Sequence, residues 1–137
     1  MFNETYRFLR QRASIAGMNK RAKTPPIHLR VTPVPGVALG PGKADLLAGI
    51  RETGSIAAAG RRMRMSYRRA WQLVEELNRS FRGPLVEASK GGSGGGGARL
   101  TRLGKAVLER YARMHAAANA SVAADVAALR RLVARDD

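Results

Sequence analysis

The 137-residue chain predicts a mainly α fold with a small two-stranded β unit. Three observations lead there. Apolar residues recur at helical spacing over residues 42–53, 56–63 and 67–82. Two short strand-like segments, at 85–88 and 99–100, flank the glycine-rich run GGSGGGG at 91–97. A long helical pattern then runs from Thr101 to about residue 134. Three short helices, a hairpin and a last long helix make up the order of a winged helix-turn-helix with a long C-terminal dimerisation helix. The chain divides accordingly into a basic N-terminal segment (1–26), the winged helix-turn-helix (27–101) and the C-terminal helix (102–137).

Residues 1–17 space Phe2, Tyr6 and Leu9 by four and three, which predicts a short helix, marginal in isolation. Residues 18–26 form a basic linker. Ile27, Leu29 and Val31 alternate with polar residues, so 27–34 is expected as a half-buried strand ended by Pro33, Pro35, Gly36 and Gly40. Pro41 or Gly42 opens the first helix, with Leu46, Leu47 and Ile50 on one face and Thr53-Gly54 as its stop. Ser55 caps the second helix, where Ile56, Ala59 and Met63 share a face. A tight turn over Arg64-Met65 leads to Ser66, the cap of the third helix. The third helix's apolar stripe is Tyr67, Ala70, Trp71, Val74, Leu77 and Phe81. Gly83-Pro84 breaks it, and Leu85, Val86 and Ala88 start the hairpin that Arg99 and Leu100 complete. Thr101 caps the last helix, whose seam comprises Leu103, Val107, Tyr111, Met114, Ala118, Val122, Val126, Leu129 and Val133. That seam outruns one small core. Either its end frays or its alanine-rich face, 116–128, packs on a second copy.

The charge narrows the partner. Formal net charge is +15, from 25 Lys and Arg against 10 Asp and Glu, and basic residues exceed acidic ones in all three segments. Such self-repulsion is tolerated when the partner is a polyanion. Double-stranded DNA is expected rather than an anionic membrane, since aromatics make up 5% of the chain and no basic helix has a bulky apolar face. No stretch approaches the roughly 18 apolar residues of a membrane span. The N-terminus lacks the apolar core of a secretory signal, so the expected address is the cytoplasm, at the nucleoid. Without cysteine there is no disulfide framework, thiolate nucleophile or zinc-thiolate site. His28 and His115 are lone and suggest no metal. Glu75 and Glu76 are adjacent on one helix and point apart, unsuited to paired acid–base work. No nucleophile–base set is present, and an enzyme is not expected.

In a helix-turn-helix the second helix reads, so it should open with polar or basic residues. Here it opens Ser66-Tyr67-Arg68-Arg69, with Gln72 one turn on. Arg suits guanine O6 and N7, Gln suits adenine N6 and N7, and Ser66 with the helix's free N–H groups suits phosphate. Arg61, Arg62 and Arg64 precede it, and Lys90 and Arg99 flank the glycine run. The bland alternative for the arginines is a solvated face. Trp71 lies on the apolar stripe as a core residue, and Tyr67 fits either role. The glycine run lacks the Gly-Lys-Ser/Thr of a phosphate-binding loop and reads as a hairpin tip able to approach the DNA backbone or minor groove.

The strings MSYRRAWQLVEELN and PLVEASKGGSGGGGARLT closely resemble the N-terminal winged-helix domain of the ModE family, the molybdate-responsive bacterial transcription regulators. The resemblance spans roughly residues 40–115. It implies a homodimeric, sequence-specific DNA-binding regulator, with dimer contacts from the N-terminal segment and the helix after the wing. It also implies that Ser66, Tyr67, Arg68 and Arg69 start the recognition helix, and that Lys90 and Gly91 through Gly97 form the wing. Full-length members continue into molybdate-binding β-barrel domains, whereas this chain stops at Asp137, so no cofactor is expected and a molybdate response is not. Arg64 stands at a turn position where relatives usually have glycine, which costs about 1 kcal/mol or somewhat more if the position takes positive φ, and Gly60 replaces a better helix former, a penalty of roughly 0.5–1 kcal/mol. Two other functions fit the composition: a non-specific nucleoid-type DNA-binding protein, and a small molybdate- or tungstate-binding protein using the glycine-rich loops.

Overall fold

The computed structural model describes residues 26–89 and 97–135. The expected N-terminal helix, most of the basic linker, Lys90 and Gly91 through Gly96 lie outside the described residues. The elements run β1 (Val31–Val34), β2 (Val37–Leu39), α1 (Pro41–Thr53), α2 (Ile56–Arg62), α3 (Tyr67–Ser80), β3 (Val86–Ser89), β4 (Gly97–Leu100) and α4 (Arg102–Leu132). This is a winged helix with a long C-terminal helix.

Local chemistry sets the helix ends. Pro41 sits in the first turn of α1, where its missing N–H has no partner to lose. Three hydroxyls cap the other helices. Ser55 Oγ accepts from the Ala58 N–H at 3.1 Å, Ser66 Oγ from the Arg69 N–H at 3.1 Å, and Thr101 Oγ1 from the Gly104 N–H at 3.0 Å. The Thr101 hydroxyl also donates to the Pro84 carbonyl at 2.7 Å, which ties the start of α4 to the start of the wing.

The core gathers around α1, where Ala44, Leu46, Leu47, Ala48 and Ile50 are all buried. Ile56 and Ala59 of α2, one face of α3, the inward residues Val86, Ala98 and Leu100 of the wing, and the first half of α4 pack onto it. Each buried leucine contributes roughly 1.5–3 kcal/mol.

The structure alters four expectations. The strand predicted over 27–34 begins only at Val31, and it pairs with β2, which the sequence did not announce. Pro35 followed by Gly36 at φ 84° supplies the residues a type II turn requires, so the prolines and glycine turn the chain into a hairpin instead of ending a lone strand. On α3, Leu73 joins Ala70, Val74 and Leu77 in the core, whereas Tyr67 is 58% exposed. It occupies the open first turn, which no element covers. On α4 the fully buried residues are Gly104, Leu108, Tyr111, Ala112 and His115; Leu103, Val107 and Met114 are only half-buried. The seam is rotated because Gly104 lets the start of α4 lie against the Leu85 backbone. His115 is structural, 4% exposed beside the Tyr111 ring, while His28 is exposed. Finally, Gly60 is no mere penalty. A Cβ there would lie 3.0 Å from Ala70 Cβ, so the glycine sets how closely α2 and α3 approach.

One side chain joins helix to wing. Asn78, in the last turns of α3, accepts the Leu85 and Val86 N–H groups on Oδ1 at 2.8 and 3.0 Å and donates from Nδ2 to the Val86 carbonyl at 3.0 Å. Leu85 and Val86 are buried, so their backbone groups have no water to turn to. Replacing Asn78→Ala should lower stability by about 2–3 kcal/mol in urea unfolding, and Asn78→Asp by less, since it keeps the acceptor. An unchanged urea midpoint for Asn78→Ala would show that the clamp contributes nothing.

Candidate nucleic-acid interface

The turn between α2 and α3 is built by its own backbone. The Met65 N–H donates to the Gly60 carbonyl and the Arg64 N–H to the Arg61 carbonyl, each at 3.0 Å. These are the two bonds of a Schellman motif, and they place Arg64 at the position that takes left-handed backbone. Its φ is 57°, the only positive φ among the described non-glycine residues. The strain expected of Arg64 from the sequence is therefore present, at about 1–2 kcal/mol.

Past this turn α3 opens with Ser66, Tyr67, Arg68 and Arg69, all exposed, and Gln72 is exposed one turn further. Ser66 spends its acceptor on the cap but keeps its O–H available to donate. Arg68, Gln72, Glu75 and Arg79 follow each other at i, i+4, i+7 and i+11, and all four are exposed, so they line one outward stripe. Glu75 and Arg79 were not among the candidate contacts; helical spacing from Arg68 would have found them. Tyr67 stands edge-on to Trp71, with ring centroids 6.0 Å apart and planes at 76°. Trp71 is half-buried against the core, as its place in the stripe indicated.

The wing is fixed to the same unit. Its register pairs Val86 with Leu100, Glu87 with Arg99, Ala88 with Ala98 and Ser89 with Gly97. The Ala98 N–H donates to the Gly54 carbonyl at 2.8 Å, so β4 hangs on the turn between α1 and α2. The Thr101 N–H donates to the Leu85 carbonyl at 2.9 Å and closes the hairpin's base.

The basic side chains fall into two sets. Arg62 meets Glu52 at 2.7 Å, Lys43 meets Glu76 at 3.5 Å, and Arg99 meets Glu87 at 2.9 Å. Arg61, Arg64, Arg68 and Arg69 are exposed, and no carboxylate of a described residue holds them. This division was not legible in the sequence, because Glu52 and Glu87 reach their partners through tertiary contacts ten and twelve residues away. Four guanidinium groups are thus left to solvent around one turn and the start of α3. Among the described residues no group of three His, Asp or Glu side chains could hold a metal, and no helix is long and apolar enough to cross a membrane.

Comparison with known proteins gives this geometry a family setting. The family described as "Bacterial regulatory helix-turn-helix protein, lysR family" matches residues 44–105. The chain is 41% identical over 81 residues to the molybdenum-pterin-binding protein MopB of Rhodobacter capsulatus, covering 59% of this chain and 30% of that protein. It is 37% identical over 100 residues to MopA of the same organism, covering 73% and 37%. It is 39% identical over 71 residues to the DNA-binding transcriptional dual regulator ModE of Escherichia coli K12, covering 52% and 27%. The chain therefore spans well under half the length of these relatives.

The ion-pair division has a consequence for stability. Arg62→Gln breaks the half-buried pair with Glu52 and should lower stability by about 0.5–1 kcal/mol, whereas Arg61→Gln should stay within about 0.5 kcal/mol of wild type. Urea unfolding of both variants checks this, and equal effects would remove the distinction. Residues 44–105 match a bacterial regulatory helix-turn-helix family, and the chain carries a winged-helix domain similar in sequence to the ModE regulators.

Proposed function

We propose that this chain is a sequence-specific, double-stranded-DNA-binding transcription regulator of the ModE N-terminal type. The observation that carries the proposal is the run Arg61–Arg64–Arg68–Arg69. It holds four exposed guanidinium groups around the turn and the capped start of α3, with no carboxylate of a described residue to neutralise them. A cationic face left unpaired in this way gains most from a polyphosphate, because each phosphate neutralised releases condensed counterions.

In this reading α3 enters the major groove. Arg68, Arg69 and Gln72 reach base edges, Ser66 donates to a phosphate and Tyr67 packs on a thymine methyl or the backbone. Arg61, Arg64, Lys90 and Arg99 neutralise phosphates, and the glycine-rich wing lies along the adjacent backbone or minor groove. Arg62 contributes charge while held by Glu52. Affinity is mostly electrostatic and specificity comes from the first two turns of α3. The chain acts as a homodimer in the cytoplasm. The second half of α4 supports this: the helix's buried residues all lie between Gly104 and His115, while Leu129 and Leu132 beyond them are 60% and 80% exposed. A second copy packed along 116–128 and on to Leu132 would cover that face.

The test starts from a duplex selected from a random pool. Wild-type protein should prefer it over random DNA by about 10³-fold or more at physiological salt. Arg68→Ala or Arg69→Ala should weaken binding to it by roughly 1–3 kcal/mol and relax the preference at one base position. Discrimination below about tenfold would replace the regulator with a nucleoid-type binder. Wild-type affinity in both variants would show that α3 is not the reader.

A further inference from the structure

We infer that Arg64 is a phosphate-contacting residue whose charge is kept at the expense of stability. The inference rests on the DNA-binding reading above, which already gives Arg64 a phosphate, and adds the stability that this contact costs at the one non-glycine residue with positive φ in the described backbone. The turn's two hydrogen bonds, Met65 N–H to the Gly60 carbonyl and Arg64 N–H to the Arg61 carbonyl, force left-handed backbone at position 64. Glycine meets that demand without steric conflict; arginine brings a Cβ into close approach with the backbone. Among the described residues no ion pair compensates for this. Arg64 is exposed, and no carboxylate of a described residue pairs with it. The side chain therefore worsens the turn and makes no ion pair in return.

Its position explains what it can do instead. Arg64 stands between Arg61, in the last turn of α2, and Ser66, the N-cap of α3. A guanidinium here sits beside the N–H groups of the first turn of α3 that the Ser66 cap leaves free, and beside the positive dipole end of that helix, where a phosphate oxygen is already favoured. The ligand is one phosphodiester of the DNA strand flanking the groove that α3 enters. A phosphate carries no base identity, so the contact raises affinity for every sequence equally.

The experiment measures thermal unfolding and salt-dependent duplex binding for wild type, Arg64→Gly, Arg64→Asn and Arg64→Lys. Arg64→Gly should unfold several degrees higher, about 4–8 °C for a domain this size. It should flatten the slope of log K against log salt by about 0.9 per protomer and lower affinity about fivefold per protomer at 0.15 M salt. Its preference for the selected duplex over random DNA should not change. Arg64→Asn, which tolerates left-handed backbone, should lose affinity in the same way, and Arg64→Lys should keep the slope. A glycine variant with wild-type slope and affinity overturns the phosphate contact, and one no more stable than wild type overturns the trade-off. A changed preference among sequences would make Arg64 a base reader and overturn the assignment. If wild-type protein binds no duplex DNA, the DNA-binding reading falls first and this inference with it. If wild type binds and Arg64→Gly binds equally, only this inference falls.

Discussion

The primary amide of Asn78 holds the interface together. It closes three hydrogen bonds on the backbone of Leu85 and Val86, two as acceptor and one as donor. The amide accepts on one atom and donates from another, which a hydroxyl cannot do, and glutamine, the other primary amide, is a methylene longer. Left unpaired, each buried backbone group would cost about 1–3 kcal/mol. Because Asn78 lies near the end of α3, the clamp transmits the orientation of that helix to the first strand of the wing. The return strand is tied separately, through the Ala98 N–H to the turn at Gly54. The two ties make α3, the rest of the helix-turn-helix and the hairpin one part, and such preorganisation is what the proposed fit of two elements to one duplex requires.

On that frame the scarce carboxylates decide which cations are available. The chain has 10 acidic residues for 25 basic ones. Glu52, Glu76 and Glu87 are spent on Arg62, Lys43 and Arg99, which lie on α2, α1 and the wing. The pairs at Arg62 and Lys43 brace helices against each other, and the pair at Arg99 spans the two wing strands. None reaches the opening of α3. The free cations therefore cluster where the helix dipole is also positive. Such a cluster raises the local potential, speeds association with a polyanion and makes binding strongly dependent on ionic strength.

Much of this was legible in the sequence, for physical reasons that differ from element to element. Ser55, Ser66 and Thr101 announced their helices because a hydroxyl followed by a helical apolar period is a local signal, and all three cap as expected. The exposure of Ser66, Arg68, Arg69 and Gln72 followed from their place in the first turns of a helix whose stripe lies elsewhere, whereas Tyr67, placed on that stripe, is exposed as well. Arg64 was legible as strained once the turn was recognised. What escaped was tertiary. The β1–β2 hairpin hid behind prolines that usually end strands. The buried face of α4 was misjudged because Gly104 and His115 do not score as apolar and Ala112 is small, yet all three are buried; Gly104 lies against the Leu85 backbone, and the Tyr111 hydroxyl donates to the Leu29 carbonyl at 2.8 Å. Gly60 looked like a poor helix former until Ala70 was seen against it. The pairing of Arg62 and Arg99 with carboxylates depends on neighbours that no local pattern names.

The central claim is that the exposed opening of α3 lies in a major groove with the wing beside it. Methylation interference on a duplex selected from a random pool tests it most directly, because guanine N7 faces the major groove and adenine N3 the minor groove. The account predicts that N7 methylation within the selected site blocks binding, with any interference at adenine N3 confined to the flank where the wing lies. Binding indifferent to guanine N7, or blocked only by methyl groups in the minor groove, would contradict it.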